Sequence, residues 1–236
     1  MARLVARQGT PVVAFDSDLF PGLSVSLGIP DPVEPPLLGA AAQDEAGHWG
    51  WSEGMDATIA AQRFATAAPD GVRLLQRGKI DRAGYEAIIG ASKAFWEVAH
   101  GLVDAPAFRD WTFIGDLNAG TRQAAEDWAP YADTFLVVVQ PTAQSALTAQ
   151  RVTRLQPRQA ATLLIANRVR GEHDVRHIEE LVGESVLASI PADESVAAAE
   201  RLGAAPIDHA PGSPAIAAIE RLITAIADAR PIAPSI

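Results

Sequence analysis

The chain has no cysteine. Disulfides, thiolate metal sites and a cysteine nucleophile are therefore excluded, and a reducing compartment such as the cytoplasm is expected. Long hydrophobic runs are missing too: Phe135 to Val139 is far short of the roughly 20 apolar residues that span a bilayer, so no membrane insertion is expected. No apolar run follows the charged residues Met1 to Arg7, and no signal peptide is expected. Positive charge is in short supply. Lys and Arg total 19 against 29 Asp and Glu, for a net charge of -10 and a pI near 4.9, and such a surface repels the phosphates of DNA and RNA. A glycine-rich loop ending in Gly-Lys-Ser/Thr is also lacking. Gly47 to Gly54 holds no such triplet, and Gly78-Lys79 is followed by Ile80.

What is present is a regular alternation. The 236 residues are 48% hydrophobic, enough for one sizeable core, and a single domain over 1–236 is expected. Short unalternating apolar runs read as buried parallel strands: Pro11–Phe15, Val72–Leu75, Thr112–Gly115, Thr134–Gln140, Thr162–Ala166 and Val186–Ile190. Helical patterns lie among them, at Ala57–Ala67, Tyr85–Val103, Thr142–Leu155, Val175–Val182, Ser195–Leu202 and Pro214–Ala229. Met1 to Gln8 also has helical character and reads as the second half of a helix, ended by Gly9. The expected fold is α/β, a mostly parallel sheet with helices on both faces. Pro30 to Pro36 reads as a mobile loop over the site, and Pro231 to Ile236 as a loose tail.

Three carboxylates end strands. Asp16 and Asp18 follow Val12–Phe15, Asp116 follows Thr112–Gly115, and Gly120 comes four residues later. Acidic groups at the carboxyl ends of adjacent parallel strands point into the crevice where such sheets bind ligands. Magnesium-dependent nucleotide hydrolysis needs one such group to hold the hydrated metal and another to orient water. The plainer alternative is turn aspartates that end strands and cap helices. Asn167 ends Thr162–Ala166; its amide offers both a donor and an acceptor, which suits the edge of adenine, and a strand-ending turn is the alternative. Ile190-Pro191-Ala192-Asp193 ends the next strand, where its backbone could wall a base or Asp193 could cap a helix from Ser195. His173 and His177, at i and i+4, read as a solvated helix face before a metal site. Trp49 and Trp51 read as core or partner-facing rather than as stacking groups for nucleic acid.

Taken in order, these pieces resemble the MinD/ParA-type P-loop ATPases, and within them the CooC-like branch. The resemblance covers nearly the whole chain. Val13 to Ser24 with Leu27-Gly28 resembles that branch's switch I, Asp116 to Gly120 its switch II, Val137 to Thr142 with Ser145 and Thr148-Ala149 the next strand–helix unit, and Ile190 to Asp193 through Glu200, Gly203 and Ser213 to Ala215 the C-terminal segment. The resemblance implies ATP and magnesium as ligands. Asp18 would orient the hydrolytic water, and Asp116 would hold magnesium through water with Asp16 nearby. Gly120 would sense the γ-phosphate, while Asn167, its neighbour Arg168 and the backbone of Pro191, Ala192 and Asp193 would contact the nucleotide. A homodimer in the full-length form and action on a partner protein are likewise implied.

The pattern departs from the family at its start. The family's first strand, its loop of the form KGGxGKTT and the beginning of the next helix have no counterpart, and Met1 to Gly9 resembles only the tail of that helix. An N-terminally truncated chain is therefore expected, without family-level turnover as it stands, and with the strands Thr112–Gly115 and Thr134–Gln140 left as sheet edges. CooC-like nickel insertion relies on a Cys pair absent here, and Pro214–Arg230 has too few cations for a MinD-type membrane helix. The alternative from another class is a noncatalytic interaction scaffold that keeps the fold.

Overall fold

A computed structural model describes residues 1–32, 34–79, 84–155 and 160–229. The expected tail from Pro231 lies outside them. The chain divides into two compact units, Ala2–Ala132 and Asp133 onward. Within the described residues each is built around its own mostly parallel sheet.

In the first unit the elements run α1 (Ala2–Arg7), β1 (Val12–Asp16), α2 (Leu23–Leu27), β2 (Ala41–Gln43), β3 (Trp49–Trp51), α3 (Ala57–Phe64), β4 (Thr66–Ala67), β5 (Arg73–Gln76), α4 (Gly84–Gly101), β6 (Thr112–Asp116) and α5 (Arg122–Ala125). The sheet order is β4-β5-β1-β6, with β5, β1 and β6 parallel and β4 a short antiparallel edge. β1 is buried throughout, which explains its unbroken apolar run. Its alternate residues feed two cores. Val13 and Phe15 face α3 and α4, where Phe15 meets Phe95, Phe113 and Tyr131. Val12 and Ala14 face α1 and α2 with Val72, Leu74 and Leu27. Helices thus cover both faces, as expected for a parallel strand of this composition.

α1 is tied down electrostatically: Arg3, 5% exposed, donates from Nε to Asp70 Oδ2 at 2.7 Å and from Nη1 to the Leu27 carbonyl at 3.3 Å. α3 begins where Asp56 accepts the Ile59 N–H at 2.8 Å. Trp49 and Trp51 belong to an antiparallel hairpin that the sequence reading treated as a glycine-rich segment; Trp51 packs on the core and Trp49 lies against Gly90 of α4. The proline-rich stretch after Gly28 is a loop, and its ends are fastened. Asp31 pairs with Lys79, and Pro35 packs so closely on Gly78 that a Cβ there would sit 2.4 Å from Pro35 Cβ. Gly78 has φ +93°, which adds a backbone reason for glycine at this point.

The second unit runs β7 (Thr134–Val139), α6 (Ala143–Leu155), β8 (Ala161–Val169), α7 (Glu172–Val182), β9 (Val186–Pro191), α8 (Glu194–Leu202), α9 (Pro206–His209) and α10 (Pro214–Ala229). Its three strands are parallel in the order β7-β8-β9. Val137, Val139, Leu164 and Ala166 bury one face with Ala146 and Ala149 of α6 and Ile178 and Val182 of α7, while α10 packs by β9. α7 and α8 stop at Gly183 and Gly203, both in the left-handed region. All six strands and six interior helices read from sequence are present. β6 and β7 are each an edge of their own sheet.

Candidate functional site

Parallel register puts three polar residues side by side at the carboxyl ends of the first unit's strands. Asp16 of β1 is paired with Gln76 of β5 on one side and Asp116 of β6 on the other. Paired residues in a parallel ladder share a face, so the row Gln76–Asp16–Asp116 presents two carboxyls and one amide along one ledge. The apolar runs beneath it explain its placement: Val12 to Phe15 and Leu74-Leu75 are fully buried, and the polar residue follows at the point where each strand leaves the core.

Asp16 is completely buried and organises the turn that follows it. Its Oδ1 accepts the Asp18 N–H at 3.2 Å, and its Oδ2 accepts the Leu23 N–H at 3.1 Å at the start of α2. Burial raises its pKa despite those two bonds. Asp18 is half-buried, and its Oδ1 accepts the Phe20 N–H at 3.0 Å. Asp116 is solvent-open at the sheet edge, yet the crowding around its carboxyl, with the charges of Asp16 and Asp18, raises its pKa to about 6. Tyr131 is also raised, by burial and by the Asp116 charge. Gln76 is 1% exposed, and neither its Nε2 nor its Oε1 completes a hydrogen bond of ordinary geometry. It lies close enough to Asp16 to favour that group's charged form without reaching a proper bond. A buried amide with both ends unmatched costs on the order of 1–3 kcal/mol for each lost partner. Repelling carboxyls beside an unsatisfied amide suit a hydrated divalent cation, since magnesium takes one or two carboxylates and keeps several waters.

Behind the ledge, Gln123 of α5 is 6% exposed and joins the two acidic turns. Its Oε1 lies 2.7 Å from Ser17 Oγ and accepts the Asn118 N–H at 2.6 Å, and its Nε2 donates to the Ser17 carbonyl at 3.0 Å. Gly120 is exposed with φ +110°, and nothing lies within 4 Å of where a Cβ would be. Its backbone conformation, not crowding, calls for glycine there.

The other residues singled out from sequence lie in the second unit. A bulge after Asn167 puts Arg168 at φ +57°, a conformation non-glycine residues rarely hold. Asn167 Oδ1 accepts the Arg168 N–H at 2.9 Å. Arg168 lies 3.7 Å from Glu200, both exposed. Asn167 pairs with Ile190 and Val169 with Pro191, and the Ala192 N–H reaches the Val169 carbonyl at 2.9 Å. The ends of β8 and β9 therefore gather Asn167, Arg168, Pro191 and Ala192. The Asp193 side chain, by contrast, is a cap. Oδ1 accepts the Ser195 N–H at 2.9 Å and its hydroxyl at 2.5 Å, and Oδ2 accepts the Ala215 N–H at 3.0 Å, so one carboxylate serves the starts of both α8 and α10. The Ser195 hydroxyl, with the Ala215 amide, holds its pKa down near 2. His173 and His177 stack on α7 with ring centroids 6.3 Å apart, and among the described residues no group of three or more His, Cys, Asp or Glu is arranged to hold a metal around them or elsewhere.

The sequence reading missed Gln76 and Gln123. A lone Gln closing an apolar strand beside two Asp-closed strands is a signal that could have found Gln76. Nothing in the local pattern marks Gln123, whose role depends on where α5 folds back.

Solved structures share this fold. The septum site-determining protein MinD complexed with Mg-ADP from Pyrococcus horikoshii superposes with a TM-score of 0.70 and 20% identity, covering 95% of this chain and 86% of that one. The cell division ATPase MinD of Pyrococcus furiosus gives 0.71 with 21% identity over 97% and 90%. A ParA family ATPase from Chlorobium tepidum gives 0.70 with 18% identity over 94% and 88%. This chain has the MinD/ParA-type P-loop ATPase fold. In sequence, the chain is similar to an uncharacterized ATP-binding protein of Methanocaldococcus jannaschii, 26% identical over 219 residues that span 86% of this chain and 82% of that protein. No protein-family model matches the chain. No helix among the described residues is long and apolar enough to cross a membrane.

Proposed function

We propose that the protein is an ATP-dependent switch of the MinD/ParA type, in the CooC-like branch, which homodimerises on Mg-ATP and acts on a partner protein in the cytoplasm. The observation that carries this reading is the row Gln76–Asp16–Asp116: two carboxyls and a buried amide that completes no hydrogen bond among the described residues, at the carboxyl ends of adjacent parallel strands. Asp116 would hold hydrated magnesium, with Asp16 beneath it and the Gln76 amide receiving metal-bound water. Bound magnesium would neutralise phosphate charge. Asp18 orients the attacking water from a turn that Asp16 holds in shape. The Gly120 N–H would sense the terminal phosphate. In the second unit, Asn167, Arg168 and the backbone of Pro191, Ala192 and Asp193 contact the base.

The 236 residues hold no Gly-Lys-Ser/Thr loop, and carboxylates alone do not cradle a triphosphate. The chain by itself is therefore expected to release phosphate from Mg-ATP only at background rate. Turnover that Asp18→Ala abolished would overturn that expectation. Metal binding is tested separately by thermal denaturation: Mg²⁺ or Mn²⁺ raises the melting temperature of the wild-type chain and not that of Asp116→Asn. A wild-type chain unmoved by either cation, and by Mg-ATP, would favour the second reading, a noncatalytic interaction scaffold, for which the missing loop is the specific support.

A further inference from the structure

The two acidic turns are joined by one side chain. We propose that Gln123 is a positioning residue that couples the Asp16–Leu23 turn to the Asp116–Gly120 turn, so that displacement of one is transmitted to the other. Ser17 sits between Asp16 and Asp18, and Asn118 sits between Asp116 and Gly120. The Gln123 amide holds both residues at once, by contacts of 2.7 and 3.0 Å to Ser17 and 2.6 Å to Asn118. A second link runs directly between the turns: the Ser17 N–H donates to the Asp116 carbonyl at 3.1 Å, and Ser17 Oγ lies 2.8 Å from the same oxygen. Ser17 is 1% exposed and Gln123 6%, so water does not substitute readily for the two bonds between them.

The chemistry requires glutamine. The Asn118 N–H needs an acceptor, which fixes the carbonyl end of the amide toward it. The Ser17 carbonyl needs a donor, which the NH₂ end supplies. Glutamate offers acceptors only, so it keeps the Asn118 contact and loses the one to the Ser17 carbonyl, while adding a carboxylate beside three others. Alanine loses both and leaves the half-buried Asn118 N–H and the buried Ser17 C=O unpaired. α5 has only four residues, and its Gln123 is its buried anchor. The turn bearing Gly120 cannot shift without moving that anchor, and the anchor holds the residue before Asp18.

Where a nucleotide is concerned this inference rests on the functional reading above; the coupling itself does not. Hydrogen–deuterium exchange of the ligand-free chain tests the coupling. Gln123→Ala accelerates exchange in both 17–23 and 117–121, by roughly fivefold to tenfold given the usual worth of a buried hydrogen bond. Gln123→Glu accelerates 17–23 and leaves 117–121 near wild type, a split that general destabilisation does not produce. Ser17→Ala, a milder change should Gln123→Ala fail to fold, accelerates both turns to a smaller degree. Acceleration in 117–121 alone for Gln123→Ala, or uniform acceleration across the unit for every variant, would overturn the coupling. With Mg-ADP added, wild type gains protection in both turns and Gln123→Glu only in 117–121. If Mg-ADP protects neither turn in wild type, the nucleotide reading fails, and the ligand-free exchange still decides the coupling.

Discussion

Asp116 and Asp193 are both aspartates just where a parallel strand ends, and they have met opposite fates. Asp193 accepts hydrogen bonds from the starts of two helices and sits with a pKa near 2. The Asp116 carboxyl loses solvation and also faces the charges of Asp16 and Asp18, and it is pushed up to about 6. The first is a solved structural problem, a carboxylate whose charge the fold uses. The second is an unsolved one, a charge the fold resists, with an unmatched amide two strands away. Strain of this kind persists where something outside the chain relieves it, and satisfied groups mark architecture. The contrast separates two residues that a sequence pattern treats alike.

The most severe way to break the comparison is to remove the packing that holds the strand bearing Asp16. Phe15 is fully buried among Phe95, Phe113 and Tyr131, directly before Asp16. Phe15→Ala should cost about 3–5 kcal/mol, read from the urea midpoint, and should abolish any cation effect on melting. Next comes Asp193→Ala, expected to lower the melting temperature at neutral pH by several degrees, because two helix starts lose their acceptor. A depressed pKa stabilises the fold above the ordinary value of 3.8, and that contribution is lost as pH falls toward about 2. The gap between Asp193→Ala and wild type should therefore close in acid. If it persists unchanged near pH 2, Asp193 is not acting through its charge.

The mirror-image prediction concerns Asp116. A carboxyl raised from 3.8 to about 6 binds its proton more tightly folded than unfolded, so stability falls as pH rises through that window. Asp116→Asn should melt higher than wild type above pH 6 in the absence of divalent cations, and match it near pH 4. A lower melting temperature for Asp116→Asn at neutral pH would sink the view of the site as strained. The smallest effect is at Gln76. Gln76→Met keeps the shape and removes both unmatched atoms, so it should gain about 1 kcal/mol without cation and reduce the cation-induced rise in melting temperature. Loss of stability instead would mean that the amide already has an adequate partner in the ledge.

Much of the architecture was legible in the residues. Uninterrupted runs such as Val12–Phe15 and Thr134–Val139 read as strands covered on both faces, and each of them is a strand, though only the first is buried throughout and Val138 of the second is exposed. Elements too short to carry a period were not legible: the Ala41–Trp51 hairpin, β4 and α5. Their placement comes from packing, as when Trp51 turns onto the core around Phe95. Of the candidate residues, Asp16, Asp18 and Asp116 could be named because each closes an apolar run. The tertiary structure brings Asp16 and Asp116 into register and sets Asp18 close enough to repel Asp116.

The sequence by itself determined that β1, β5 and β6 would be strands with a polar residue after each apolar run, because such runs leave water by joining a sheet, although only β1 and β5 are largely buried and β6 is half-buried to exposed. Only the tertiary structure decided that those three polar ends stand in one row, that Gln76 has no partner there, and that Gln123 reaches Ser17 across 106 residues of chain. The physical reason is that burial follows from a residue's own side chain, whereas a hydrogen bond or a charge repulsion depends on which distant residue the fold places beside it.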